Sequence, residues 1–384
     1  MNDIVLSVDY HDENCQVRQL NLATGEEVCF KCPTTRGDLL RIVQDAEREL
    51  QPGGQVVWIM ESTTGWARVK DLLGSKVRFI LANVLQMPLP PKARRRKTDK
   101  IDTARNQREY LNGSLPRAFQ PPAELRRLRR VVALREKQVS RQTSARNWID
   151  RYFAHETWED RKGLWSQKGL RRLKGLAALS PDRFVLEARL RELEYWEKEL
   201  LLTEAEIMEV YQGWELAQWV DEIPGLGPIS AVSILARIGP AERFGRVDDL
   251  IAFAGLAPGV LQSDGTIHHG RLGGGGTDKH LRFYLVEASM WARRIPRYAQ
   301  LYERTRRKRG KKIARLTVAR HLLRSLFKMM RDRVRFCRLA QGQAASIGKV
   351  GPQNSGGARR PPGPPALSAA PADSPERKGR AMSK

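Results

Sequence analysis

Cysteine is scarce in this chain, with only Cys15, Cys29, Cys32 and Cys337 among 384 residues. That scarcity excludes a small fold stapled by disulfides. Cys29 and Cys32 share a Cys-x-x-Cys spacing, but no second Cys or His pair lies nearby to complete the four ligands of a structural zinc site, so they read as strand sequence. Long apolar runs are missing too. No uncharged stretch approaches the ~18 residues that span a bilayer, and the opening MNDIVLSVDY has neither a basic nor an apolar signal region. The expectation is a soluble protein of a reducing, cytoplasmic setting with no membrane partner. Acids are also in short supply, since 43 Asp and Glu face 68 Lys and Arg for a formal charge of +25. A polyanion is the default partner of such a chain, which would place it with the nucleoid. Charge alone gives a partner class and no reaction.

What is present begins with enough apolar residues, 41% of the chain, to build real cores, and the length suggests two or three domains at roughly 100 to 200 residues each. The N-terminal stretch alternates short apolar runs with turn signals. IVLSVD, CQVRQLNL and EVCFKC read as three strands, DLLRIVQDAEREL as a helix and QVVWIME as a fourth strand. A helix through WARVKDLL, a strand in VRFILA, a basic Pro-rich loop and a helix through IDTARNQREYL follow. Hairpins first and αβ units afterwards is the order of an α/β ribonuclease H-like layer fold, here over residues 1–115.

Four acids fall at informative places on that outline. Asp9 ends the first strand, Glu61 ends the fourth, and Asp99 and Asp102 lie three apart at the start of a helix, on one face. Any one of them alone reads as a turn residue or a helix cap. Together they form an oxygen-rich set that would repel itself unless a hard cation neutralised it. Mg²⁺ (or Mn²⁺) suits carboxylates and phosphate oxygens, and two ions about 4 Å apart can stabilise both the attacking and the leaving oxygen of a phosphodiester displacement.

The segments SVDYHDE, WIMESTTGW and KTDKIDTARNQREYL carry these acids in order. With the stretch EIPGLGPISAVSILARIGPAERFGRVDDLIAFAGLAPGVLQSDG, Glu222 to Gly265, the chain resembles the DEDD transposases of insertion sequences that move through a circular intermediate. The resemblance covers nearly everything except the C-terminal tail. It implies a RuvC-like catalytic domain holding Asp9, Glu61, Asp99 and Asp102, and a mainly α transposase domain over residues 216–340. It also implies that Ser263 attacks the DNA backbone, and that a structured guide RNA, encoded beside the gene, selects donor and target DNA by base pairing. The chain departs from the family's pattern at Asp264 and at Gly273 to Gly276.

The residues of that second half also speak for themselves. Pro224-Gly225-Leu226-Gly227-Pro228 is a tight turn between helices, and Gly225 and Gly227 leave backbone N–H groups open to a phosphate in the helix-hairpin-helix manner; a plain interhelical turn reads equally well. Ser263 lies in LQSDGTIHHGRLGGGG, which shows no helical or strand period and reads as a loop, with His268, His269 and Arg271 beside it. A serine hydroxyl is a weak nucleophile and needs metal or base to activate it. Residues 116–215 are helical in pattern. Leu193, Leu200 and Ile207, with Trp196, Thr203 and Val210, make a short coiled-coil seam that fits association into a dimer or tetramer.

Basic clusters recur where nucleic acid could run. Lys92 precedes Arg94, Arg95, Arg96 and Lys97; Arg126, Arg127, Arg129 and Arg130 follow; and Arg304 to Arg315 contains Arg306, Arg307, Lys308 and Arg309. Of the tryptophans, Trp148, Trp158, Trp165 and Trp214 lie near basic helices and could stack on bases, though core positions suit most of them better. Residues 341–384, rich in Gly, Pro, Ala and Ser, read as a disordered basic tail. Two other readings fit the same acids and charge: a structure-specific nuclease of the junction-resolving kind, with water as nucleophile, and a non-catalytic nucleic-acid-binding scaffold.

Overall fold

Six consecutive buried residues, Ile4 to Asp9, open strand β1 (Ile4–Tyr10). A strand covered on both faces needs such an unbroken run, and β1 is the centre of its sheet. The computed structural model describes residues 2–87, 99–154, 163–257, 259–263, 266–270 and 276–336, with backbone alone for residues 99, 100, 259–263 and 266–270. The chain divides into two compact units, Met1–Gln120 and Pro121–Lys384. The helical segment expected over 116–215 and the domain expected over 216–340 lie mostly in the second.

In the first unit, β1 is followed by β2 (Asn14–Asn21), β3 (Glu27–Pro33), helix α1 (Arg36–Glu49), β4 (Val56–Glu61), α2 (Trp66–Leu73), β5 (Arg78–Ala82) and α3 (Asp99–Leu111). The sheet order is β3-β2-β1-β4-β5, with β1 antiparallel to β2 and parallel to β4. This mixed sheet has the hairpins-first order read from the sequence and is compatible with a ribonuclease H-like domain. Ile4, Leu6 and Val8 pack with Trp58, Met60, Leu39, Val43, Val69 and Leu73 on one face. Val5, Val57, Ile59, Ile80 and Ala82 cluster on the other, with Tyr110 of α3 against them. Thr35 caps α1 by accepting a hydrogen bond from the Asp38 N–H at 3.1 Å, which satisfies one of the donors a helix start leaves open.

Among the described residues, the second unit is helical apart from one β-hairpin. Its elements are α4 (Ala123–Tyr152), α5 (Gln167–Leu179), α6 (Arg183–Gln212), α7 (Glu215–Asp221), α8 (Pro228–Ile238), α9 (Val247–Phe253), β6 (Gly259–Ser263), β7 (Thr266–Gly270), α10 (Lys279–Ala292) and α11 (Pro296–Asp332). Helices α4 and α6 lie antiparallel, stitched by Arg146 to Glu197 at 3.0 Å, Arg135 to Glu204 at 2.7 Å and Arg127 to Glu206 at 3.8 Å. Leu193, Thr203, Ile207 and Val210 of the expected seam are buried on α6. The partner of that helix is α4 of the same chain, so the heptad pattern is satisfied within one molecule. Helix α8 is buried from Ala231 to Ala236 and again at Ile238, as suits a helix apolar on every side. No helix among the described residues is long and apolar enough to cross a membrane.

Helix α11 reverses direction. Gly310 has φ +81° and ψ 169° inside it, and the Tyr298 hydroxyl lies 3.0 Å from Ser325 Oγ. A straight helix would hold those residues about 40 Å apart at 1.5 Å per residue. The basic run is therefore the tip of a helical hairpin, and the apolar stripe of Val318, Leu322, Leu326 and Met330 is buried on its second arm. A β-carbon at Gly310 would meet nothing, so the backbone conformation alone demands glycine. Gly310→Ala is expected to destabilise the second unit by about 1–3 kcal/mol, measured as a lower urea midpoint for α11.

Candidate functional site

The register of β1 on β4 brings the first two acids together. Val8 lies opposite Met60 in the parallel ladder, so Asp9 and Glu61 follow side by side at the carboxyl ends of adjacent strands. They continue the face of Val5 and Ser7 and of Val57 and Ile59. Helix α3 covers that face: Ser7 Oγ donates to the Thr103 carbonyl at 2.8 Å, and Asn106 Nδ2 donates to Glu61 Oε1 at 3.5 Å. Asp9 is 8% exposed, with His11 Nε2 3.4 Å from its Oδ2.

Asp102 is half-buried in the first turn of α3, one turn before Asn106. Asp99 begins the same helix, and its side chain lies outside the described residues. Among the described residues no three His, Cys, Asp or Glu side chains form a cluster that could hold a metal ion. The expected donor set is all oxygen, on two neighbouring strand ends and one helix start, and that chemistry would suit a hard divalent cation.

In the second unit the expected hairpin joins α7 to α8. The Leu226 N–H donates to the Ile223 carbonyl at 3.0 Å, and Gly225 sits at φ +88°. A β-carbon there would lie 2.6 Å from Trp291 Cδ1, so the close approach requires glycine as well. Trp291 is 49% exposed, and the Arg294 guanidinium lies 4.6 Å from its ring centre. Gly227 precedes Pro228 at the start of α8, and no side chain caps that end.

Ser263 is not in an irregular loop, as its sequence suggested. It ends β6, which pairs antiparallel with β7 from Gly259↔Gly270 to Ser263↔Thr266. Two five-residue strands are too short to show a period. The available signal was Asp264-Gly265, the dipeptide favoured by two-residue hairpins, with Val260 and Ile267 on the flanking strands. The Ser263, His268 and His269 side chains lie outside the described residues, as do Asp264, Gly265 and Arg271. So do Arg94, Arg95, Arg96, Lys97, Trp158 and the tail.

The described segments before and after this hairpin, around Gly255 and Asp278, are tied to one another and to α11 by groups the sequence did not reveal. The Asp278 N–H donates to the Phe253 carbonyl at 2.8 Å, Arg320 Nε donates to the Leu256 carbonyl at 2.7 Å, and Arg282 Nη1 reaches the Gly255 carbonyl at 3.3 Å. Asp278 also caps α10, accepting from the Leu281 N–H at 2.9 Å, while its other oxygen pairs with Arg237 at 2.8 Å. Arg237 bonds Glu136 on its remaining side. Burial works against the Arg237 charge, yet Glu136 and Asp278 hold its pKa above the ordinary value. Burial, and then the nearby Arg129, push Arg243 down to about 10.

The basic cluster after Pro122 is partly consumed here. Arg129 donates to the carbonyls of Ala236 at 2.7 Å and Arg237 at 2.9 Å, capping α8, so it does not track a nucleic-acid backbone as its place in the cluster suggested. Trp148 and Trp165 sit in the α4–α5–α6 cluster, with Arg189 over the first ring at 5.2 Å and Arg146 over the second at 5.4 Å.

Residues 217–304 match the transposase IS116/IS110/IS902 family. The matched segment runs from α7 through the Gly225 turn and the Ser263 hairpin into the first arm of α11. The chain is also similar to a Sinorhizobium fredii protein named "Putative transposase y4pF/y4sB", 27% identical over 301 residues, which is 73% of each chain. A second similarity is to the "Insertion element IS110 uncharacterized 43.6 kDa protein" of Streptomyces coelicolor, 30% identical over 131 residues, 34% of this chain and 32% of that one.

Asp278 serves the family-matched segment as cap, salt-bridge partner and backbone donor to Phe253 at once. Asp278→Ala is expected to cost about 3 kcal/mol, as for loss of one partner of a buried ion pair. Faster hydrogen exchange at the His280 and Leu281 amides would show it.

Proposed function

We propose that this chain is the transposase of an insertion element, which cuts and rejoins DNA by transesterification with Ser263 as nucleophile. The observation that carries the reading is the pairing of Asp9 and Glu61 at neighbouring strand ends beneath α3, in a chain whose residues 217–304 match a transposase family. Asp9, Glu61, Asp99 and Asp102 hold the divalent cations in this reading, Mg²⁺ or Mn²⁺ and two of them. When bound, such ions polarise the scissile phosphate and neutralise charge on the attacking and leaving oxygens.

The chain's own residues do the rest. Asn106 orients Glu61, and His11 lies against Asp9 on its accessible side. Ser263 Oγ bonds to phosphorus as the 3′- or 5′-oxygen of the DNA strand leaves, and the serine proton passes through a basic acceptor to that leaving oxygen. A hydroxyl of the second strand then displaces the serine and restores it. By its resemblance the chain takes a structured guide RNA that selects donor and target DNA through base pairing, and it works as a homo-oligomer, dimer or tetramer. Sequencing RNA that co-purifies with the full chain tests the guide: reads mapping beside the reading frame support it, and their absence counts against it.

Ser263→Ala is expected to abolish the covalent protein–DNA adduct. Asp9→Asn and Glu61→Gln should lower strand cleavage on the order of 10³-fold or more without loss of DNA binding. The measurement is denaturing electrophoresis of cleavage products with and without protease. If Ser263→Ala cuts as fast as wild type, water is the nucleophile and the same acids serve a nuclease.

A further inference from the structure

An open cleft of about 680 Å³ lies along the first arm of α11, lined by Arg297, Arg304, Arg307 and Lys308, with Glu303 as the acid of that wall and His321 reaching it from the second arm. The Glu303 carboxylate is already engaged by Arg306 at 2.8 Å. Arg320 and Arg324 stand beside His321 on the second arm, and Arg324 reaches Asp248 of α9 at 3.6 Å. Arg297, Arg304, Arg307 and Lys308 all stand on the first arm and repel one another, and the reversal at Gly310 sets His321 of the second arm against them. The chain thus carries a preformed concave site for negative charge.

We infer that this cleft seats the phosphodiester backbone of a nucleic-acid strand, with Arg297, Arg304, Arg307 and Lys308 on its phosphates and His321 at its floor. The inference rests on the nucleic-acid part of the proposed function and not on the serine or the metal. It separates the tip of the hairpin, where Arg309 and Lys311 face solvent, from the inner wall, where cations converge on one volume.

His321 supplies a signature that a plain basic surface would lack. Burial, followed by Arg324, Arg297, Arg320 and Arg304, holds its imidazole below the ordinary value of 6.5, so the ring is neutral at pH 7 in the free protein. Glu303 across the cleft and Asp248 behind Arg324 are the acids facing this group, and each is paired to an arginine. A seated phosphate cancels the surrounding positive potential and raises the His321 pKa, so binding takes up a proton. Affinity then rises as pH falls through the bound-state value and levels off below the free-state one. The gain is about tenfold for each unit by which binding raises the pKa.

The test uses the full chain and labelled 20-nucleotide strands of one sequence, as single-stranded DNA, duplex DNA and RNA, with affinity measured by fluorescence anisotropy across salt and pH. Arg304, Arg307 and Lys308 are exposed, so the triple Arg304→Gln, Arg307→Gln, Lys308→Gln is compatible with folding. It should weaken binding at least tenfold and lower the log–log salt slope by about two to three. A control triple that removes the same charge elsewhere, Lys76→Gln, Lys168→Gln and Arg171→Gln, should lose clearly less. The arm that weakens identifies DNA, RNA or both as the occupant.

His321→Gln should flatten the rise in affinity on acidification while keeping binding at pH 8. Equal losses from the two triples, with wild type binding well, would overturn the cleft and leave the proposed function standing. Wild type that binds none of the strands would overturn both. An unchanged pH profile in His321→Gln would remove the histidine from the site.

Discussion

A chain with a formal charge of +25 must fold against its own repulsion, and its acids are deployed accordingly. Glu136 and Asp278 are spent on Arg237 inside the second unit, and Glu197, Glu204 and Glu206 on the arginines of α4. Backbone carbonyls neutralise further guanidinium groups, as where Arg129 caps α8 and Arg320 holds the Leu256 carbonyl. Such cations are structural, and the positive surface that remains is smaller than the composition implies. Among the described residues, α11 is rich in cations, with Glu303 and Asp332 as its acids.

The acids of the first unit follow a different rule. Strand β1 has apolar partners on both faces until its last turn outward, where Asp9 stands opposite the last residue of β4. Parallel pairing fixes that adjacency, because shifting the register by one residue would send every side chain of the strand to the wrong face. The buried Val5, Val57 and Ile59 therefore hold Asp9 and Glu61 in place as firmly as any direct contact. Helix α3 completes the arrangement with polar side chains, and Thr103 and Asn106 are buried there because Ser7 and Glu61 bond to them. A helix bedded on hydrogen bonds can carry an acid in its first turn close to a sheet without burying a lone charge.

Legibility in the sequence tracked how local the determining signal was. The order of strands and helices through Leu111 is written in short apolar runs and turn residues, and so are the strand-end positions of Asp9 and Glu61. Strands β6 and β7 escaped because five residues, bounded by glycines, show too little alternation to read. The reversal of α11 escaped for the opposite reason: the run Arg304 to Arg315 keeps strong helix formers on both sides of one glycine, and nothing local says that the chain turns back. Pairings such as Arg237 with Glu136 were illegible in principle, since they join residues a hundred positions apart and any of the 68 cations could have taken that place. The heptad seam marks a helix face that packs, and the pattern alone does not name α4 of the same chain as the helix it packs on.

In the proposed function, these features divide the work of holding nucleic acid from that of choosing it. Phosphate contacts fix a strand's register and orientation and carry no sequence information, and guanidinium and ammonium groups lining a cleft make contacts of that kind. A chain built this way gains affinity that depends strongly on salt and only weakly on sequence. Choice must then come from groups that touch base edges or from pairing with another strand. In the proposed function it comes from a guide RNA, and the chain's own task reduces to shape, charge and the placement of one hydroxyl. The clamps fit that division: Asp278, Arg282 and Arg320 hold the Phe253, Gly255 and Leu256 carbonyls, and none of them needs to recognise a base.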